Sequence, residues 1–215
     1  MDIDYRNTEY CPVLDLVAEE KAKLEKQIKE DSPTTRIMYN KVNKKDGTYF
    51  AGFSKIYNYK CAYCGASMRF TNMQLFEVDH FICESSFGND TASKANAGKL
   101  SNLVFSCFTC NRGKHDLLIE GNYCKMLNPD DSSILEVFYR DQEYYIKIKD
   151  KYENDIIIKD FYDKLKLGFQ TRRLDYLLME MKGLVNEVRD KNLKYEMESA
   201  IEKLMEKKNY TSGYK

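Results

Sequence analysis

The chain has 215 residues, and its 34 lysines and arginines equal its 34 aspartates and glutamates, giving zero formal net charge. That length buries one core with a modest extension, and no apolar run approaches the roughly 20 residues a membrane helix needs. The neutral balance argues against a broad basic surface, so any contact with nucleic acid must rest on a local patch.

Met1 is followed by Asp2, Asp4 and Arg6 in place of an apolar leader, so the chain is expected to stay in the cytoplasm. Residues 1–50 read as an accessory segment. In it Val13, Leu14, Val17, Leu24 and Ile28 trace one amphipathic helix that begins near Pro12 and packs or docks. Ser32-Pro33-Thr34 and residues 43–47 read as loops. Residues 51–125 form the central unit, with short strands at Leu75 to Ile82 and Leu103 to Phe108. Between them, residues 85–99 are rich in Ser, Gly, Asn and Ala and read as an irregular loop; a short helix is expected from Asn111 to about Ile119.

Residues 126–215 change character. Ile134 to Tyr139 and Tyr144 to Ile148 alternate around Asp141-Gln142, a hairpin pattern. Ile158, Phe161, Tyr162 and Leu165 mark a helix that Gly168 stops. Leu174, Leu177, Leu178, Met181, Leu184, Val185 and Val188 give a stronger helical stripe, and Met197, Ala200, Ile201, Leu204 and Met205 give a last one. These stripes are scaffold or a partner-facing surface. The chain as a whole reads as α+β.

Cys61-Ala62-Tyr63-Cys64-Gly65 and Cys107-Phe108-Thr109-Cys110-Asn111 are two CxxC knuckles. Four thiolates on two tight turns suit tetrahedral zinc, and a closed set of four sulfurs leaves no open position for water. The expected ion is therefore structural. Seven cysteines is an odd number, which argues against a full disulfide set; Cys11, Cys83 and Cys124 have no spacing partner and read as ordinary buried or free thiols.

Between the knuckles lies Glu77-Val78-Asp79-His80-Phe81-Ile82. Neighbours on a strand point to opposite faces, so Asp79 and His80 can serve one site only if the strand bends. Asn102 follows, and then Asn111-Arg112-Gly113-Lys114-His115-Asp116 abuts the second knuckle. On a helix starting near Asn111, Asn111 and His115 would share one face at i and i+4 and reach the ion that Asp79 reaches.

The Val-Asp-His-Phe-Ile string, the Leu-Ser-Asn-Leu stretch and the Cys-Asn-Arg-Gly-Lys run resemble the HNH (ββα-metal) endonuclease family in its zinc-stapled form. They also resemble the HNH domain of RNA-guided nucleases. The resemblance covers roughly residues 55–120. It implies His80 as general base, Asp79 and Asn111 as ligands of a catalytic divalent ion, and Asn102 as the residue that ties down the loop and holds His80. Asn111 stands where many members carry a histidine; an Asp-plus-Asn oxygen set favours Mg²⁺ or Mn²⁺, with His115 a further candidate ligand. Arg112, Lys114, Lys94 and Lys99 are the expected phosphate contacts. The implied reaction is metal-dependent phosphodiester hydrolysis, with DNA the family default and RNA the alternative. A compact nuclease with helical flanks also resembles the effector subunits of prokaryotic defence systems such as the Septu type, which implies an ATPase partner. The competing reading is a non-catalytic zinc-ribbon module that binds nucleic acid or protein.

Overall fold

The computed structural model describes residues 4–10 and 15–212. Pro12, Val13 and Leu14, where the first helix was expected to begin, and Cys11 lie outside the described residues. Helix α1 spans Val17–Asp31 and buries Val17, Lys21, Leu24 and Ile28 along one face. Two helices that the sequence reading did not anticipate follow, α2 (Tyr39–Val42) and α3 (Thr48–Ile56), on either side of the expected loop.

The centre of the molecule is a two-stranded antiparallel sheet and one short helix. Strand β1 (Phe76–His80) pairs with β2 (Leu103–Cys107), setting Phe76 opposite Cys107, Asp79 opposite Val104 and His80 opposite Leu103. The crossover between them is more ordered than a loop: Asp90 caps a helix, α4 (Thr91–Ala97), by accepting from the amides of Ala92 and Ser93. Its Ser, Asn and Ala content conceals this helix because the cap, rather than an apolar stripe, defines it.

Helix α5 (Phe108–Lys114) begins three residues earlier than expected and ends at His115, whose φ of 47° breaks the helical run. A four-residue helix, α6 (Tyr123–Met126), leads to the hairpin of β3 (Phe138–Arg140) and β4 (Ile146–Ile148), with Arg140 opposite Ile146. The hairpin is shorter than its alternation suggested, because residues 132–136 form a 3-10 turn. Helices α7 (Ile156–Lys164), α8 (Gln170–Glu187) and α9 (Lys191–Ser212) complete the chain.

One continuous apolar core runs from Tyr5 through Ile28, Phe53, Phe105 and Phe138 to Leu167, so segments on both sides of the central unit share it. Phe76 and Phe105 stack at 5.2 Å at its centre. A second, smaller cluster of Phe70, Leu178, Met179, Val185 and Ile201 lies between α8, α9 and the residues after the first knuckle. Most of the two helical stripes of the sequence is spent here, while Leu184 stays exposed. No helix among the described residues is long and apolar enough to cross a membrane.

The N-terminal strap reaches the centre directly. Arg6 pairs with Asp4 at 2.8 Å and donates to the carbonyls of Ala62 (2.8 Å) and Pro129 (2.6 Å), while Tyr5 Oη donates to the carbonyl of Tyr63 at 2.7 Å. Gly65 has φ +76°, and a Cβ there would lie 2.5 Å from the Arg6 carbonyl oxygen. Only glycine lets the knuckle turn under the strap.

Candidate active site

The four-cysteine site comes first, because it sets the position of everything else. The first knuckle is closed by Gly65 N–H donating to the Cys61 carbonyl, and it is tied to β2 by Ala62 N–H donating to the Phe105 carbonyl. Cys107 ends β2 and Cys110 follows one turn into α5. The ligand atoms of Cys61, Cys64, Cys107 and Cys110 all lie within 4.8 Å of one another, and all four residues are buried. The Cys64 and Cys107 sulfurs are 3.9 Å apart. Zn–S bonds of ~2.3 Å in a tetrahedron put sulfurs about 3.8 Å apart, so the set fits zinc.

Arg172, from α8, is 4 % exposed and points its guanidinium at this site, with Nη2 3.2 Å from Cys110 Sγ and Nη1 3.5 Å from Cys107 Sγ. A zinc with four thiolates carries a net charge of −2, and a buried cation beside it offsets part of that charge. Hydrogen bonds from the other sulfurs, with a smaller pull from Arg172, hold the Cys107 thiol well below its ordinary range, whereas burial pushes Cys110 up against the pull of Arg172. Cys83 is buried and Cys124 half-buried, both free thiols.

Consecutive residues of a helix diverge by about 100°, so as Cys110 turns to the sulfur cluster, Asn111 turns to β1. Asn111 Nδ2 donates to Glu77 Oε2 at 2.6 Å, and Arg112 Nη2 donates to Glu77 Oε1 at 3.1 Å. Glu77 and Asp79 share a strand face by the period-two rule. The amide of Asn111 is thereby fixed by its nitrogen, and its Oδ1 accepts no hydrogen bond among the described residues.

Asp79 is 5 % exposed. Its Oδ2 accepts from Tyr63 Oη at 2.6 Å, and its Oδ1 lies 3.3 Å from Lys114 Nζ. Burial pushes the Asp79 carboxyl up to about 6, although the Lys114 ammonium and the Tyr63 hydroxyl both pull it down. Lys114 is itself fully buried, and its Nζ also donates to the carbonyls of His80 (2.9 Å) and Phe81 (3.4 Å). The expectation that Lys114 contacts phosphate is therefore corrected: one turn past Cys110 on α5, it points inward and spans β1. Arg112, with its side chain 64 % exposed, is the cation of this helix that faces out.

His80 closes β1, and the chain bends at residues 81–82. Its ring packs on Tyr39 with centroids 4.4 Å apart, and burial lowers its pKa from the ordinary histidine value. Asn102 holds the bend: Oδ1 accepts from Ile82 N–H (2.9 Å), and Nδ2 donates to the carbonyls of Ile82 (3.0 Å) and Ala97 (2.8 Å). It thus ties the end of β1 to the end of α4.

Asp79, His80, Asn111, Arg112 and His115 line one cleft of about 460 Å³, with Glu84 and Asp116 also on its wall. His115 stands at its rim rather than on the face of a helix. Its side chain is 75 % exposed and its Nδ1 is 2.7 Å from Asp116 Oδ1. His115 N–H still donates to the Asn111 carbonyl at i, i+4 and both residues line the cleft, but the positive φ ends α5 at His115. Lys94 on α4 and Lys99 just after it are exposed. Lys99 lines a neighbouring cleft with Asn102, not the one that holds His80.

Sequence reasoning gave no role to Glu77, Tyr63, Tyr39 or Arg172. Glu77 was readable, two residues before Asp79 on one strand. Tyr63 sits inside a knuckle whose cysteines drew the attention, and nothing local marks Tyr39 or Arg172.

Residues 61–117 match the family model for HNH endonuclease. The segment runs from the first CxxC knuckle through β1, β2 and α5. No curated protein and no solved structure matches the chain.

Proposed function

We propose that this chain is an endonuclease that hydrolyses phosphodiester bonds with one catalytic divalent ion on a zinc-stapled ββα-metal core, and that DNA is its substrate. The observation that carries this reading is the convergence of Asp79, His80 and Asn111 on one cleft beside the four-cysteine site. The match of residues 61–117 to HNH endonucleases supports it independently.

The donor set fits a hard cation. Asn111 presents an amide oxygen with no other partner among the described residues, Asp79 presents a carboxylate, and Glu84 and Asp116 add carboxylates to a wall that also carries Arg112, His80 and His115. Oxygen donors in small number suit Mg²⁺ or Mn²⁺, which keep several of their waters. When bound, the ion supplies Lewis-acid stabilisation of the scissile phosphate and the leaving oxygen, worth several kcal/mol. Asp79 and Asn111 would hold it.

The remaining roles belong to side chains already in place. His80, kept neutral by burial, takes a proton from the attacking water while the new P–O bond forms and the bond to the 3′ oxygen breaks; solvent returns a proton to that oxygen. Such a base contributes ~10²–10⁴-fold. Asn102 anchors the chain just beyond His80, Tyr63 and Lys114 hold Asp79, and Arg112 offers its exposed guanidinium to a flanking phosphate. Lys94 and Lys99 extend the track more weakly, from the neighbouring surface.

The reading includes a defence-effector role beside an ATPase. What supports it is the neutral net charge, which gives no overall attraction for a polyanionic substrate, and the exposed Leu184, Leu193 and Tyr195 on α8 and α9. Co-purification with the product of a neighbouring gene tests that part.

The decisive assay is cleavage of plasmid and of single-stranded RNA with and without added Mg²⁺ or Mn²⁺. Cleavage of DNA that depends on the added ion is expected, with loss in His80→Ala at unchanged zinc content and folding. Asn111→Ala should raise the concentration of ion needed for any residual activity. No cleavage of either substrate, or a His80→Ala protein that cuts at the wild-type rate, returns the chain to the non-catalytic zinc-ribbon reading.

A further inference from the structure

A histidine that takes a proton is commonly oriented through its second ring nitrogen, which donates to a carbonyl or a carboxylate. His80 is held differently. Among the described residues no side chain or backbone group hydrogen-bonds its imidazole. Its carbonyl accepts from Lys114 Nζ at 2.9 Å, which fixes the backbone but not the ring. The ring instead lies against another ring: the Tyr39 and His80 centroids are 4.4 Å apart, with the planes tilted by 34°.

Tyr39 comes from outside residues 61–117, the segment that matches the nuclease family. Met38 and Val42, one turn apart across α2, are buried in the main core and anchor this stretch. Tyr39 N–H donates to the Gly98 carbonyl at 3.1 Å. Asn102 grips the preceding carbonyl, that of Ala97, at 2.8 Å, and also holds Ile82. The end of α4 is therefore a junction. Asn102 ties it to the chain just beyond His80, and Tyr39 carries it to the face of the imidazole. The junction has no spare room, since a Cβ at Gly98 would lie 2.7 Å from Ile37 Cγ2.

Tyr39 and His80 are both half-buried, and His80 lines the cleft that holds Asp79 and Asn111. With the Tyr39 ring on one face, the imidazole cannot tip toward that side without overlap. Tipping the other way forfeits the contact.

We propose that Tyr39 is a positioning residue for His80: its ring sets the plane of the imidazole, and so the direction in which the base meets the attacking water. This role rests on the nuclease reading above. Tyr39 acts through His80 and takes no proton itself. The catalytic unit then extends beyond the family segment to residues 37–42, which the N-terminal part of the chain supplies.

Steady-state cleavage of plasmid DNA with added Mg²⁺, and NMR of the full zinc-loaded chain, test it together. Tyr39→Leu keeps an apolar side chain but removes the flat face. Its kcat should fall about tenfold to a hundredfold, the scale of a small misplacement of a catalytic group. KM, the Mg²⁺ requirement, zinc content and thermal transition should not change. Tyr39→Phe restores the ring and should recover most of the rate. Gly98→Ala leaves both rings intact but displaces residues 37–39 from the junction, and should lower kcat in the same way. It decides the matter if Tyr39→Leu does not fold.

The chain has two histidines, so the imidazole C–H signals of His80 are identified by their loss in His80→Ala. At about pH 9 a histidine is neutral. There the His80 signals should move in Tyr39→Leu and return close to their wild-type positions in Tyr39→Phe, because ring-current shifts follow the stacked face. This arm needs no cleavage. If the wild-type chain cuts nothing, the nuclease reading fails, while moved signals uphold the positioning of His80 and unmoved ones overturn it. A Tyr39→Leu chain that cuts at the wild-type kcat, or that loses KM or ion affinity along with rate, also overturns the proposal.

Discussion

Asp79 is held by two donors that arrive from different parts of the chain, Tyr63 from the first knuckle and Lys114 from the last turn of α5. Removing one partner of a buried ion pair leaves an uncompensated charge and costs about 3–5 kcal/mol. Lys114→Met keeps the volume and should lower stability by that order in urea denaturation, with Asp79→Asn in the same chain recovering part of the loss. A Lys114→Met protein as stable as wild type would show that the pair bears no energy. The titrating groups of the cleft make a second prediction. Burial lowers the His80 pKa, so the imidazole stays neutral and able to accept a proton to more acidic pH than an ordinary histidine. As pH falls, His80 gains a proton below its ordinary value near ~6.5. Protonated, it can no longer take the proton of the attacking water. The acid limb of kcat/KM against pH should therefore fall below about 6.5; a limb centred above 7 would contradict the assignment of His80.

Helix α5 serves two sites with one turn of backbone. Cys110 closes the sulfur cluster, Asn111 and Arg112 meet Glu77, and Lys114 meets Asp79, because residues spaced along a helix face different neighbours. Helix α8 adds the cation that the cluster needs, in Arg172. Partners just outside the ligand shell typically alter metal affinity about 10–100-fold. Arg172→Met should accelerate zinc loss to a colorimetric chelator by that order, with Arg172→Lys intermediate because it keeps the charge but loses the planar fork. Equal release rates in all three proteins would mean that Arg172 only fills space.

At the scale of the whole molecule, the sulfur cluster joins segments that would otherwise be linked by packing alone: the first knuckle, the end of β2, the start of α5 and, through Arg172, the C-terminal helices. Structural zinc contributes on the order of 10 kcal/mol or more to folding, comparable with the entire net stability of a typical domain. Stripping it with a strong chelator should therefore unfold the central unit, read as loss of far-UV CD signal together with zinc release. A chain that keeps its CD signal and its thermal transition with no zinc bound would refute the staple.

Much was legible in the residues themselves. The two CxxC spacings, the Asp79-His80 pair, the strands, read at 75–82 and 103–108 and found at 76–80 and 103–107, and the stripes of α8 and α9 all rest on local pattern, because ligand spacing and apolar period are properties of neighbouring residues. The loop that proved to be α4 was missed because one capping aspartate, not an apolar period, marks it. The end of α5 at His115 was missed because a single positive φ, absent from any periodicity, decides it. Tertiary structure alone decided that Lys114 points inward, that Glu77 accepts from the Asn111 nitrogen, and that Arg172 reaches the cysteines from 62 residues beyond Cys110. Those outcomes depend on which surfaces meet when the core closes. Burial sets the cost of each charge only after that meeting, and no stretch of sequence contains it.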